Sequence, residues 1–114
     1  QELFHSESVI IMASVALKNR SSYQMNVWVP LDTATSIARY FYGYDVEDIE
    51  EIQETVGEMA NIFAGNILSL LPGDWDMGLP TSEVCERTDV NSNFFYKAFN
   101  STKGSFAISI VEEQ

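Results

Sequence analysis

Glu58 and Asn61 are the two residues whose types and spacing could do chemistry together. Residues three positions apart lie on the same side of an α-helix, so a carboxylate and an amide placed here would point the same way. An amide cannot serve as a general base near neutral pH, but it can form hydrogen bonds to a water molecule and orient it. A carboxylate can pair with a cationic side chain. The spacing alone is weak evidence, because a Glu and an Asn also suit an ordinary solvated helix face.

The stretch over residues 48–71 is the element that must position this pair. Its apolar residues recur at steps of three and four, which places them on one side of an α-helix, facing a core. An Asn in mid-helix costs up to ~0.7 kcal/mol relative to Ala, and a Gly about 1 kcal/mol, so the opposite side gives up helix stability. That side holds four residues that we call the outer row: Glu54, Glu58, Asn61 and Gly65. The apolar stripe comprises Ile49, Ile52, Val56, Ala60, Phe63, Ile67 and Leu70 or Leu71.

The chain before this helix predicts a β-hairpin followed by a short helix. Residues 9–17 are rich in Val, Ile and Met, which is typical of a strand buried on both faces. After a polar turn, every second residue over 23–29 is apolar, as in a second strand. Pro30 suits the entry to a helix, and Gly43 suits its exit. The apolar side of this helix is predicted to contain Ile37, Ala38, Phe41 and Tyr42.

The chain after the long helix predicts further strands. A Pro-Gly pair at 72–73 ends the helix, and Pro80 marks a sheet edge or a bulge. The last two strands form a hairpin around a turn at 100–104. The whole order predicts an α+β fold in which a β-sheet is packed by a long central helix and a shorter one. The strand pattern occupies residues 75–79, 81–87, 93–99 and 105–111.

Composition limits the classes of protein. A chain of 114 residues with 46% apolar content can bury the core of one domain. We assign residues 8–114 to that domain and residues 1–7 to a polar tail. The net charge of −11 argues against nucleic acid as a partner. No apolar run approaches the ~20 residues of a transmembrane helix, so we expect a cytoplasmic location and no membrane partner.

The few cysteine and histidine residues and the distribution of charge limit the kinds of site and partner that the protein can have. A single cysteine, Cys85, cannot form an internal disulfide, and we expect it to be a small buried hydrophobic residue in a reducing compartment. His5 has no Cys or Asp cluster beside it, so neither a metal site nor a catalytic triad is predicted. No Lys or Arg occurs between Arg39 and Arg87, whereas acidic residues crowd over 45–58. This acidity suits a basic surface on another protein, although solubility explains it more simply.

The sequence GEMANIFAGN at 57–66, together with LPTSEV at 79–84, resembles the CheC and CheX family of chemotaxis phosphatases. In that family a helix carries a Glu, two intervening residues and an Asn, a Gly follows four residues after the Asn, and a Leu-Pro pair opens the next strand. The likeness covers roughly residues 8–112. One copy of the Glu-Asn pair is present, as in the CheX-like single-site branch. The corresponding residues here are Glu58, Asn61, Gly65, Leu79 and Pro80.

The resemblance implies an activity that needs no cofactor of its own. Receiver proteins of two-component systems carry a phosphoryl group on an aspartate beside Mg²⁺, and in-line attack by water releases it. Asn61 would orient that water, as the glutamine of GTPases does, and Glu58 would pair with a receiver lysine. Glu54, where the family has Asp or Ser, and Gly65 would contact the partner. The implied partner is a phosphorylated CheY-type response regulator, with Mg²⁺ on the receiver.

Two other functions stay open. The outer row could belong to a non-catalytic adaptor that binds receivers without hydrolysing the phosphate, with Glu54 marking drift from activity. It could also be a plain solvated face of a structural domain. The resemblance further implies a homodimer joined through sheet edges. The strands are apolar, and Pro80 is the strongest feature that would block an edge, so some edge must be covered by a partner.

Overall fold

The computed structural model describes residues 9–86, 96–101 and 104–113. Within them the chain forms an antiparallel sheet and two helices, which confirms the predicted α+β class. The sheet order is β3-β1-β2-β6-β5, and β4 also pairs with β1. The elements are β1 (Val9–Lys18), β2 (Ser22–Pro30), α1 (Leu31–Tyr42), α2 (Ile49–Ser69), β3 (Asp76–Met77), β4 (Thr81–Glu86), β5 (Tyr96–Ser101) and β6 (Gly104–Glu112).

The β1–β2 hairpin supplies most of the floor on which the helices rest. Alternate residues of the two strands pair in register, with Ala13 opposite Val27 and Val15 opposite Met25. These side chains are fully buried against the helices. The predicted hairpin and its alternation are therefore confirmed.

The opposite face of the sheet is also largely buried. Ile10, Trp28 and Ala107 form a second, smaller apolar cluster there. Beside it, a buried polar chain crosses three strands: the Ser14 hydroxyl donates to the Asn26 side-chain oxygen at 2.7 Å, and the Asn26 amide donates to the Ser109 hydroxyl at 3.2 Å. Burial on both faces explains why residues 9–17 read as an almost continuous apolar run.

Helix α1 is short and packs through small side chains. Pro30 precedes it, and Gly43 ends it with φ of 77°, a left-handed conformation that favours glycine. Ala34 and Ala38 are fully buried, as predicted for Ala38. The prediction was wrong for Phe41 and Tyr42, which are 55% and 39% exposed. The physical reason is that the chain leaves the core after Ala38 and returns to it only at Val46.

Helix α2 lies across the sheet with one face buried. Asp48 caps its first turn by accepting a hydrogen bond from the Glu50 amide at 2.9 Å. The stripe prediction is confirmed in the middle of the helix, since Ile52, Val56 and Ala60 are buried. It was wrong at the ends. Ile49, Leu70 and Leu71 are 39%, 84% and 42% exposed, because the terminal turns extend beyond the packed part of the sheet.

The segment after α2 is less regular than predicted. Only the two residues of β3 form a strand in the region 75–79, and Gly78 instead donates its amide to the Ala16 carbonyl at 2.8 Å. Pro80 then separates β3 from β4. Cys85 on β4 is half-buried rather than fully buried. His5, Arg87 and residues 93–95 lie outside the described part of the chain.

The remaining strand predictions fall close to β5 and β6. Strand β6 extends the predicted 105–111 by one residue at each end, and its pairing with β2 joins the C-terminal hairpin to the first one. Among the described helices, none combines the length and the apolar content required to cross a membrane.

Candidate functional site

The outer row faces away from the core along α2. Glu54, Glu58 and Gly65 are exposed, and Asn61 is partly exposed. Glu58 and Asn61 are three positions apart, which corresponds to ~4.5 Å along the helix axis. A carboxylate and an amide are therefore presented side by side on an outward face of the helix that another protein can reach.

The buried face of α2 fixes the direction of this row. Val56, Ala60 and Ala64 are fully buried, and the two alanines let the helix backbone approach the sheet closely. Farther along, the ring of Phe63 stacks on Phe106 of β6, with centroids 5.6 Å apart and 15° between the ring planes. Rotation of α2 would break these contacts, so the outer row is held on a rigid element.

The start of β4 braces α2 at the level of Glu58. A side-chain carbon built on Gly57 would lie 3.8 Å from the Cβ of Pro80, so the helix passes directly over this proline. Nearby, the Gln53 amide donates to the Ser82 carbonyl at 3.4 Å. The proline of the Leu-Pro pair thus supports the helix backbone next to Glu58, whereas Leu79 is 89% exposed.

Gly65 has open space around it. A Cβ added at this position would meet no atom within 4 Å. Packing inside the chain therefore does not require glycine here, although the residue weakens the helix. What the glycine provides is a flat patch of exposed backbone one turn beyond Asn61.

A groove of about 440 Å³ opens beside the N-terminal half of the outer row, and we call it the aromatic groove. It lies between the last turn of α1 and the beginning of β4, with α2 as its floor. Two exposed rings form one wall, and two carboxylates of the outer row lie within it. Its lining residues are Phe41, Tyr42, Gln53, Glu54, Thr55, Gly57, Glu58, Pro80 and Ser82.

Tyr42 is held in the wall of this groove. It lines the groove beside Thr55, and its ring centroid lies 5.6 Å from that of Tyr44. Partial desolvation, the negative charges of Glu54 and Glu51, and Tyr44 together raise the pKa of the Tyr42 hydroxyl above its ordinary value of 10.0. The hydroxyl therefore stays protonated and neutral throughout the physiological range.

The structure brings the four predicted site residues onto one surface, and it adds others that the sequence analysis did not single out. Gly57 and Tyr42 belong to this second group. The sequence contained a signal for Gly57. A glycine inside a helix lowers helix stability, and a close packing contact is a common reason for it. For Tyr42 the helical periodicity pointed inward and gave no such signal. Across the described residues, no group of three or more His, Cys, Asp or Glu side chains is placed to hold a metal ion.

Comparison with known proteins agrees with the family resemblance and with the fold. The family described as "Chemotaxis phosphatase CheX" matches residues 11–94 of the chain. This chain belongs to the CheX family. No curated protein is similar enough in sequence to give a match.

Solved structures show the same fold at low sequence identity. The chemotaxis protein CheX from Vibrio vulnificus is 20% identical with a TM-score of 0.75, over 98% of this chain and 80% of that one. A CheC-like superfamily protein from Shewanella sp. PV-4 is 20% identical with a TM-score of 0.71, over 96% and 77% of the two chains. A structure from Borrelia burgdorferi, described as a CheX-CheY-BeF3-Mg²⁺ complex, is 21% identical with a TM-score of 0.66, over 91% and 76%.

Proposed function

We propose that this protein dephosphorylates the aspartyl phosphate of a CheY-type response regulator by inserting Glu58 and Asn61 into the receiver's active site. The observation that carries the proposal is the outer row, in which an exposed carboxylate and a partly exposed amide lie about one helical turn apart on a rigid helix. Membership of the CheX family supports the chemistry. The Borrelia burgdorferi complex supports the class of partner, since it combines a CheX with a CheY.

Asn61 positions the attacking water in this mechanism. The receiver aspartyl phosphate is attacked in line by water, which forms a new P–O bond as the bond to the aspartate oxygen breaks, releasing inorganic phosphate. The Asn61 amide hydrogen-bonds that water and aims it at phosphorus, so the main contribution is positioning rather than base catalysis. Mg²⁺ resides on the receiver and neutralises charge on the phosphoryl oxygens.

The other members of the outer row secure the docking. Glu58 pairs with a receiver lysine and keeps Asn61 in register with the phosphoryl group. Gly65 lets the receiver surface approach the helix backbone, because no side chain stands there. Glu54 adds a second carboxylate facing the partner, in place of the Asp or Ser that the family pattern has.

A mixing assay tests this function. Candidate receivers are phosphorylated with acetyl phosphate, separated from the donor, and followed by release of inorganic phosphate with and without this protein. We expect faster release from at least one receiver with Mg²⁺ present. If every receiver of the source genome loses its phosphate at the same rate in both conditions, the phosphatase proposal is wrong.

A non-catalytic adaptor is the second candidate, and the observation that favours it is Glu54. The Glu54 side chain is longer than the Asp or Ser of the family pattern. It would change the surface that meets the receiver one turn before Glu58. An adaptor would bind a phosphorylated receiver without hastening phosphate release. Binding measured by calorimetry beside the mixing assay separates the two functions.

We also propose that the protein is a homodimer joined through sheet edges. Strand β4 pairs with β1 on one side, and no described strand covers its other side. Val84 near its centre is 47% exposed, so β4 presents apolar surface that a second copy of the chain could cover. Two-fold pairing would leave both outer rows accessible. Sedimentation equilibrium giving one chain's 12.8 kDa at all micromolar concentrations would reject the dimer.

A further inference from the structure

The aromatic groove has a composition that the proposed reaction does not explain. Phe41 is 55% exposed and Tyr42 39% exposed, at the end of a helix whose Leu31 and Ile37 pack against the core. Removing such rings from water is worth ~25 cal/mol per Å² of apolar surface, so leaving them exposed forgoes stability. A surface made this way is suited to covering by a partner.

The charge beside these rings has one sign. Glu54 and Glu58 line the groove, and Glu51 acts electrostatically on Tyr42 from the preceding turn of α2. The sequence contains no Lys or Arg between Arg39 and Arg87 to neutralise them. Arg39 itself is engaged elsewhere, by Asp45 at 2.9 Å. Among the described residues, the lining of the groove therefore combines carboxylates with π-faces and contains no cation.

We propose that the aromatic groove is a second contact site for the phosphorylated receiver and takes a basic side chain of that partner between the ring of Tyr42 and the carboxylate of Glu54. The proposal rests on the phosphatase or adaptor function above, since the groove is continuous with the outer row through Glu54 and Glu58. It adds a contact beyond the catalytic pair. An arginine fits best, because a planar guanidinium stacks on an aromatic ring while donating to a carboxylate.

The groove is also pre-organised for such a guest. Thr55, which lines the groove beside Tyr42, is fixed because its hydroxyl donates to the Glu51 carbonyl at 3.0 Å. Pro80 and Gly57 set the opposite wall and floor without flexible side chains. Little conformational freedom is lost when the guest enters, which favours binding.

The first test needs no receiver. Acetyl-arginine amide, and as its uncharged counterpart acetyl-norleucine amide, are titrated into isotope-labelled protein while amide chemical shifts are recorded. We expect saturable shifts at residues 42, 54 and 57 with arginine only, at a Kd on the order of 10 mM for so small a ligand. Glu54→Gln, which keeps the shape and removes the charge, should weaken this binding about threefold. Equal shifts with both compounds, or unchanged arginine shifts in Glu54→Gln, would overturn the proposal.

The second test uses a receiver that responds in the mixing assay. Tyr42→Ala should raise KM about fivefold with kcat unchanged, and Tyr42→Phe, which keeps the ring, should stay within about twofold of the parent protein. Tyr40→Ala is the matched control, because Tyr40 is 75% exposed on the same helix and does not line the groove. An unchanged KM in folded Tyr42→Ala overturns the proposal. If no receiver responds, the phosphatase function fails while the arginine titration still decides the groove.

Discussion

The inner and outer faces of α2 share one backbone but carry opposite kinds of side chain. Ile52, Val56 and Ala60 on the inner face are buried, and their shapes are fitted to the sheet. On the outer face, Asn61 and Gly65 weaken the helix, and a Cβ added at Gly65 would meet no atom within 4 Å. The proposed function therefore assigns stability and receiver contact to different residues of the same helix. Substitutions on one face should leave the property of the other face unchanged.

The largest effect is expected for Asn61→Ala. Loss of the water-positioning amide should lower receiver dephosphorylation about 100- to 1,000-fold, equivalent to roughly 2.7–4 kcal/mol. The melting temperature should hold or rise, because Ala is the better helix former. The measurement is phosphate release alongside thermal unfolding. Activity retained in a well-folded Asn61→Ala protein would contradict the mechanism.

Ile52→Ala should lower stability and leave activity unchanged, which is the opposite of Asn61→Ala. Ile52 is 4% exposed, so its truncation leaves a cavity and should cost about 3 kcal/mol of unfolding free energy in urea titration. Dephosphorylation per folded molecule should stay near the parent value. Ile62→Ala is the matched control, since Ile62 lies on the same helix but is 49% exposed. Equal losses of stability in the two variants would show that the faces do not differ.

Glu58 tests whether the outer face acts through charge. Replacement by Lys places a positive charge where a receiver lysine is proposed, and should weaken binding about tenfold more than replacement by Gln. Binding of a phosphorylated receiver, measured by calorimetry at two salt concentrations, checks this. Identical affinities for Glu58→Lys and Glu58→Gln would remove the proposed pairing.

Gly65→Ala should give the smallest effect. It should change stability and receiver affinity in opposite directions. The added methyl group meets open space in the free protein, so the unfolding free energy should rise by about 0.5–1 kcal/mol. Receiver binding should weaken if the partner approaches the helix backbone there. A stabilised variant with unchanged affinity would place Gly65 outside the contact surface.

The sequence predicted α2 and the outer row because one-sided burial imposes a helical period that can be seen in the residues themselves. The same reasoning placed Phe41 and Tyr42 on the packed side of α1, since periodicity does not reveal where the sheet beneath a helix ends. The contact between Gly57 and Pro80 was invisible for another reason. It joins residues that are distant in sequence and depends on the path of the chain between them. The aromatic groove needs three elements at once and could not be predicted from any one of them.

The buried chain from Ser14 through Asn26 to Ser109 has a consequence for how the protein folds. Asn26 and Ser109 are 83 positions apart, so β2 cannot pair with β6 until the long segment between them has been synthesised. Contacts of such high sequence separation form late and slowly. When β6 arrives, a slip of one residue would turn Ser109 toward the apolar helix layer and leave the Asn26 amide without this partner, at a cost of about 1–3 kcal/mol. The hydrogen bonds of this polar chain therefore favour the correct register when β6 pairs with β2.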